Sequence, residues 1–149
     1  MDFTGEAERK TNRGKRKENM NSTSGLMSFA LLLVGLGGAI GSIVRFAIGN
    51  WLVPWLVPGN SNLSTTAVNV IGSFLLGCLA ANFPDRSKSV YLLVGVGFCG
   101  GFTTFSTFSL ELLEALLKGN PMSGVLHCLA NVFLGLAAVF LGFMLFRAA

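Results

Sequence analysis

The sequence predicts an all-α membrane protein with four membrane-spanning helices. Its 149 residues are 52% hydrophobic and only 12% charged, which leaves too little polar surface to cover a soluble core. Four apolar stretches are also separated by clear breaks, and each is near the roughly 20 residues that a helix needs to cross the hydrocarbon. We therefore expect one small multi-pass domain in the cell membrane, surrounded by the lipid bilayer.

Residues 1–24 differ from the rest of the chain in their charge. Six of the eleven Lys and Arg residues fall in the first seventeen positions: Arg9, Lys10, Arg13, Lys15, Arg16 and Lys17. We predict that this segment is a basic, disordered tail that favours the cytoplasmic face, and that residues 25–149 form the membrane domain. The basic run has neither interleaved aromatic residues nor a folded scaffold, so no nucleic-acid partner is expected. The apolar region that follows continues without a cleavage site, which indicates a retained span and not a signal peptide.

The first two predicted spans cover residues 27–51 and 64–82. The first is rich in glycine, and the spacing of Gly37 and Gly41 allows a close approach between helices. A linker at 54–60 follows it.

The third predicted span runs from about residue 89 to 117, which is too long for one plain crossing. The run 97–109 interrupts it with three glycines and five hydroxyl side chains, and we expect the helix to break near its middle, at Gly100 and Gly101. Irregular or polar backbone at membrane depth is tolerated only where it is buried in protein or lines a wet cavity. We therefore expect an ion to cross or bind at this point. The fourth span, at 123–146, follows a break at 119–121.

The charges that flank the spans do not set one orientation in the membrane. With four spans, Arg86, Lys88 and Arg147 lie on one side. Lys118 lies on the other side, as does Arg45 if the end of its helix is counted there, so the positive-inside bias of the body is nearly nil. The body could insert either way up, whereas the basic tail favours a cytoplasmic N-terminus.

Several neutral polar side chains lie within the spans. Asn69 is in the middle of the second span, and His127 and Asn131 share one face of the fourth because they are four residues apart. With Ser106 and Thr107 they offer many hydrogen-bond donors and almost no full charge, which suits the lining of a path for a small, strongly hydrated anion. Hydrogen bonding between helices is the alternative interpretation of each residue.

Two further features of the third span bear on ion binding. Phe105 and Phe108 either pack against neighbours or turn their positive ring edges toward an anion. Backbone unwound at the break would free carbonyl oxygens, which can coordinate a cation. Among the charged side chains, Arg45 is expected to reach the headgroups, close onto a partner helix or draw anions toward an entrance. Glu111 and Glu114 either belong to a functional site, as an ionisable residue inside a span does by default, or face a polar interface or a neighbouring helix end.

At these residues the chain resembles the fluoride channel family, called Fluc or CrcB, whose members are small dual-topology membrane proteins. The resemblance covers residues 27–147, and four motifs occur in the family's order: 37–46, 65–74, 97–109 and 130–142. The third motif, Gly-Phe-Cys-Gly-Gly-Phe-Thr-Thr-Phe-Ser-Thr-Phe-Ser, is highly specific.

The resemblance implies an antiparallel dimer of four-helix subunits, with two anion pores at the subunit interface. It also implies a structural sodium ion (Na+) at the dimer centre, held by main-chain carbonyls that here belong to Gly100 and Thr103. The positions that match the family's anion pore are Thr65, Asn69, Phe105, Ser106, Thr107 and Phe108, with Arg45 near the aqueous entrance.

Two departures from the family pattern stand out. His127 and Asn131 align with a tyrosine and a serine of the family's fourth helix, and a protonated His127 would make conduction depend on pH. The basic tail is the second departure. It favours one orientation, so a paired sister subunit is the alternative to the antiparallel homodimer that we expect.

The predicted function is passive export of fluoride from the cytoplasm, which reduces fluoride toxicity. No nucleotide-binding loop and no catalytic constellation is present in the sequence, so we do not expect an enzyme. A small multidrug exporter would need a glutamate deep in the first span, which the sequence lacks there. A purely structural membrane subunit would explain the glycines but not the Thr-Thr-Phe-Ser-Thr-Phe run.

Overall fold

The computed structural model of the chain describes residues 3–52, 55 and 61–147, and most of these are helical. The elements in chain order are α1 (Phe3–Ala47, continued by a π-helical turn at Ile48–Leu52), α2 (Ser61–Asn82), α3 (π-helical at Tyr91–Cys99, then α-helical at Gly100–Phe102), α4 (Phe105–Leu117) and α5 (Pro121–Arg147). By its internal contacts the chain divides into two units, residues 1–32 and 33–149.

Four stretches of the described residues are long and apolar enough to cross a membrane. They are Thr23–Leu52, Asn62–Asn82, Tyr91–Leu117 and Pro121–Arg147. The prediction of four spanning helices is thereby confirmed, and the chain is a multi-pass integral membrane protein.

Helix α1 begins at Phe3, inside the segment that the sequence predicts to be a tail. The boundary between tail and membrane domain at residues 24 and 25 stays a prediction. The linker predicted at 54–60 lies outside the described residues, apart from Trp55.

The helical path between α3 and α4 is interrupted at Thr103 and Thr104. Their backbone is extended, with φ −82° and ψ 159° at Thr103 and φ −148° and ψ 119° at Thr104. Gly100 remains helical, so the interruption lies three residues beyond the glycine pair at which the sequence analysis placed it. The physical reason is a cap: the Thr104 hydroxyl oxygen accepts a hydrogen bond from the Thr107 N–H at 3.2 Å and so begins α4 at Phe105.

Glycines bring the helix backbones close together at two contacts within residues 33–149. A Cβ atom at Gly41 of α1 would overlap the carbonyl oxygen of Phe98 on α3, and one at Gly37 would overlap that of Leu93. This confirms the close approach predicted from their spacing. The contact between α2 and α5 rests on Gly77 in the same way, since a Cβ atom there would overlap the Val139 carbonyl oxygen.

A glycine also shapes the turn between α4 and α5. Gly119 has φ +71°, which a residue with a Cβ rarely adopts, and Asn120 N–H donates to the Ala115 carbonyl at 2.9 Å to close the end of α4. The Asn120 side-chain oxygen then accepts from the Ser123 N–H at 3.3 Å, and Pro121 is the first residue of α5. The break predicted at 119–121 is therefore confirmed.

Candidate functional site

A connected set of polar side chains lies where α2, α4 and α5 meet the interruption at Thr103 and Thr104. We call it the polar cluster; its members are Thr65, Thr66, Asn69, Thr104, Glu111, His127 and Asn131. All lie within or between the stretches able to cross the membrane, where an unpaired polar group is costly. Hydrogen bonds within the cluster satisfy these groups.

Asn69 ties the interruption to α2. Its side-chain oxygen accepts a hydrogen bond from the Thr104 N–H at 2.8 Å, and its Nδ2 donates to the Thr104 carbonyl at 3.2 Å. The same Nδ2 donates to Oδ1 of Asn131 at 2.9 Å. Both amide hydrogens and the carbonyl oxygen of Asn69 are therefore hydrogen-bonded. The extended backbone of Thr104, which lies inside a span, has its N–H and carbonyl paired by the Asn69 side chain.

Asn131 connects this pair to Thr66 and His127. Its Nδ2 donates to Oγ1 of Thr66 at 2.9 Å and to the His127 carbonyl at 3.1 Å. The His127 ring nitrogen Nδ1 lies 3.3 Å from Asn131 Nδ2 and 3.4 Å from Thr66 Oγ1. The predicted placement of His127 and Asn131 on one face of a helix is thus realised as direct contact.

Glu111 completes the cluster, although it is not among the predicted pore residues. Its Oε2 lies 2.9 Å from Nε2 of His127, and its Oε1 accepts a hydrogen bond from the Thr65 hydroxyl at 2.7 Å. The His127 and Glu111 side chains are only 5% and 11% exposed. Of the two interpretations that the sequence left open for Glu111, the structure places it in the polar cluster with the predicted pore residues. Glu114, by contrast, is exposed and pairs with Lys118 at 3.0 Å.

The interruption removes the usual helical donors from two carbonyl groups. In a continuous helix the Thr104 N–H would bond to the Gly100 carbonyl, and the Thr107 N–H would bond to the Thr103 carbonyl. Here the first donates to Asn69 and the second to the Thr104 hydroxyl. Carbonyl oxygens of this kind suit a hard cation such as Na+, so the chemistry of Gly100 and Thr103 fits the ion that the family resemblance implies.

Arg45 bonds to a third carbonyl of the same turn. Its Nε donates to the Gly101 carbonyl at 3.1 Å, and the Ser42 hydroxyl lies 3.4 Å from the same oxygen. The sequence left three possible positions for Arg45: at the headgroups, against another helix or at an anion entrance. In the structure its side chain contacts another helix, α3. Arg45 also lines a cavity of about 240 Å³ together with Thr65, Glu111 and others.

The two phenylalanines differ sharply in burial. Phe108 is 8% exposed and its ring centroid lies 5.3 Å from that of His127, so it packs against the polar cluster. Phe105 is 79% exposed, with its centroid 5.7 Å from that of Phe108. Phe108 is thus held by the subunit itself, whereas Phe105 lies on its surface.

A larger cavity of about 570 Å³ brings most of the predicted site residues together. Those that line it are Asn69, Gly100, Thr103, Phe105, Phe108 and Asn131. Thr65, Thr107 and Arg45 line the smaller cavity instead. Ser106 is exposed, and its Oγ lies 3.4 Å from that of Thr104. His127 is buried behind Phe108.

The chain was compared with known protein families and with curated proteins. Residues 32–143 match the family model described as "CrcB-like protein, Camphor Resistance (CrcB)". Two proteins named "Fluoride-specific ion channel FluC" are each 41% identical to it. One, from Erythrobacter litoralis, aligns over 126 residues, 80% of this chain and 93% of the relative. The other, from Rhizobium etli, aligns over 120 residues, 78% of this chain and 95% of the relative.

A relative of the same name from Campylobacter jejuni is 44% identical over 119 residues, which cover 78% of this chain and 97% of the relative. The matches span the described membrane helices from α1 to α5 and include the polar cluster. The chain therefore belongs to the CrcB family.

Proposed function

We propose that this protein is a fluoride-selective channel that lets fluoride leave the cytoplasm by passive electrodiffusion and so reduces fluoride toxicity. The observation that carries the proposal is the polar cluster: a set of mainly neutral amide and hydroxyl groups inside the spans, bounded by Phe105 and Phe108. The names of the family relatives, each a fluoride-specific ion channel, support fluoride as the ion.

Neutral donors suit fluoride because they replace its hydration shell stepwise without trapping it. Conduction requires binding that is favourable enough for entry and weak enough for release, spread over several positions. The residues proposed to line the anion path are Arg45, Thr65, Asn69, Phe105, Ser106, Thr107, Phe108, His127 and Asn131. Because both Asn69 amide hydrogens are already donated to Thr104 and Asn131, an anion at this point replaces one of those acceptors. Ring edges of the phenylalanines add weak positive potential.

Passive flow is sufficient for export. Hydrogen fluoride enters cells from acidic surroundings as a neutral molecule and dissociates inside, and a membrane potential that is negative inside drives the anion out. The path therefore needs neither a nucleotide nor a coupled ion.

The proposed assembly is an antiparallel pair of identical subunits, with a sister chain as the alternative partner. The 79% exposure of Phe105 at the larger cavity supports it, because a second subunit would cover a ring that one subunit leaves bare. A sodium ion at the centre would be held by the carbonyls of Gly100 and Thr103, whose helical donors are engaged elsewhere. Bound there, it supplies a fixed positive charge that stabilises irregular backbone within the membrane.

Fluoride efflux from liposomes tests this function. Purified protein is reconstituted into vesicles loaded with potassium fluoride, and external fluoride is followed with an ion-selective electrode before and after valinomycin is added. We expect rapid efflux only once potassium can leave with fluoride, and no comparable efflux from vesicles loaded with potassium chloride. Efflux equal to that of protein-free vesicles contradicts a fluoride channel, and full efflux without valinomycin contradicts passive electrodiffusion.

A further inference from the structure

We propose that His127 and Glu111 form a proton-binding site that couples fluoride conduction to pH, with higher conduction in acid. The inference rests on the proposed function and adds its regulation. The two side chains meet at 2.9 Å, are 5% and 11% exposed, and lie in the polar cluster beside the ring of Phe108. A charge on this pair therefore acts on the anion path with little screening by water.

When Glu111 is ionised and the imidazole is neutral, the 2.9 Å contact is a hydrogen bond that Nε2 of His127 donates to Glu111 Oε2. Nδ1 is then free to accept. Asn131 Nδ2, at 3.3 Å, is positioned to donate to it. In this state the pair carries one negative charge, on Glu111.

A second proton on the imidazole changes both the charge and the hydrogen bonds. The pair becomes neutral overall, which removes a repulsive charge from the anion path. Nδ1 becomes a donor that can turn to Thr66 Oγ1, 3.4 Å away, and can no longer accept from Asn131. The two Asn131 amide hydrogens keep Thr66 Oγ1 and the His127 carbonyl as acceptors. The loss of the negative charge favours fluoride, so conduction rises as pH falls.

Few other charged groups of the described residues face this pair. Helix α2 adds hydroxyl and amide groups and the thiol of Cys78, and α4 adds Glu114, which is exposed and paired with Lys118. Helix α1 contributes Arg45, whose Nε is engaged with the Gly101 carbonyl. The other titratable groups on the packed helices are Tyr91 and Cys99 on α3 and Cys128 and Arg147 on α5. Among the described residues, none of these side chains contacts the pair, although Arg45 lines the same cavity as Glu111. His127 and Glu111 therefore supply the part of the local charge that we propose to change with pH.

Electrical recording gives the direct test, because neutral hydrogen fluoride carries no current. Fluoride currents of the full-length protein in planar bilayers are compared at about pH 5.5 and about pH 8, so that one condition supplies far more protons to the pair than the other. We expect currents about tenfold higher in acid. One unit charge near the path shifts the energy of an anion, at protein-like dielectric constants, by at least the amount that corresponds to a tenfold change in current.

Three variants assign the effect. We expect Glu111→Gln and His127→Tyr each to flatten the ratio of currents between the two pH values. Glu114→Gln is the matched control, since this carboxylate lies one helical turn along α4 but is exposed and outside the cluster, and it should keep the wild-type ratio. Full pH dependence in both Glu111→Gln and His127→Tyr overturns the proposal.

The single histidine of the chain permits a second readout that does not depend on current. With the imidazole isotopically labelled and any affinity tag removed, its nuclear magnetic resonance signal reports protonation of His127 alone. We expect protonation over the same pH range in which the current rises. A wild-type current that is flat with pH, or a histidine that stays neutral while the current rises, overturns this inference and leaves the proposed channel standing. Absence of fluoride current at every pH overturns the channel itself, and the coupling with it.

Discussion

The side chain of Asn69 pairs with both backbone groups of Thr104, accepting from its N–H at 2.8 Å and donating to its carbonyl at 3.2 Å. The two residues are 35 positions apart and lie on different spans. This pairing lets extended backbone exist at membrane depth, because it replaces the helical hydrogen bonds that the interruption removes. Asn69 thus holds the interruption, and under the proposed function it also meets the anion there.

Asn69→Ala should therefore damage both stability and conduction. It leaves the Thr104 N–H and carbonyl unpaired, and an unpaired buried polar group costs about 1–3 kcal/mol. We expect lower resistance to thermal unfolding in detergent and loss of fluoride efflux from liposomes. Asn82→Ala is the control, because its amide bonds only to Cys78 of its own helix and is exposed. Undiminished efflux in Asn69→Ala would contradict its place in the path.

Arg45→Met tests the bond to the Gly101 carbonyl. A hydrogen bond from a charged donor contributes about 1.5–3 kcal/mol, so we expect a comparable loss of stability together with slower fluoride efflux. The matched control is Arg86→Met, whose guanidinium lies over the Tyr91 ring at 5.9 Å in the loop before α3. Equal stability and efflux in the two variants would show that the Gly101 contact contributes nothing.

Gly41→Ala tests the close approach of α1 and α3. The added Cβ would overlap the Phe98 carbonyl oxygen, which belongs to backbone and cannot move aside cheaply, so we expect destabilisation of about 1–3 kcal/mol. Gly35→Ala adds the same methyl group to the same helix, where no atom lies within 4 Å. Thermal unfolding of both variants in detergent measures the difference, and equal stabilities would contradict the described contact.

Truncating the two phenylalanines should separate packing from ion binding. Phe108→Ala removes a ring that is 8% exposed, so we expect it to lower the free energy of unfolding by about 3–5 kcal/mol. Phe105→Ala removes a ring that is 79% exposed and should cost the single subunit little. If both rings line the anion path, both variants lose fluoride efflux despite their different stabilities. Normal efflux in a well-folded Phe105→Ala protein would remove Phe105 from the proposed path.

The positions of the spans could be predicted from the sequence because hydropathy and helix-breaking residues act locally. The predicted second span at 64–82 and the observed stretch Asn62–Asn82 end at the same residue. The first stretch begins earlier than predicted, at Thr23, and the polar residues there remain compatible with a helix. The Ser28 hydroxyl, for instance, bonds back to the Ser24 carbonyl at 2.9 Å.

The position of the interruption was predicted less well. The break was predicted at Gly100 and Gly101 because glycine often accompanies irregular backbone. The decisive chemistry is instead the hydroxyl of Thr104, which caps the N–H three residues later. A threonine directly before the first residue of a helix is a common N-cap, so Thr104 could have been recognised in the sequence as the start of α4.

Pairings within the polar cluster could not be predicted from spacing. Thr66 and His127 are 61 positions apart, and Thr65 and Glu111 are 46 apart. Such contacts depend on how helices rotate and approach one another, which here follows from glycine contacts such as that of Gly77 with α5. Most site residues could be singled out from their chemistry inside the spans, and the family resemblance supplied their implied roles. The geometry joined Glu111 to them.

The reversal potential of current through the reconstituted channel tests the central claim most directly. It is measured in a planar bilayer with fluoride at different known concentrations on the two sides and chloride making up the difference. A neutral polar path that selects fluoride and lets it move passively predicts a reversal potential at the Nernst potential of fluoride, independent of any proton gradient. A reversal potential set by chloride or by the cation, or a bilayer no more conductive than one without protein, would contradict it.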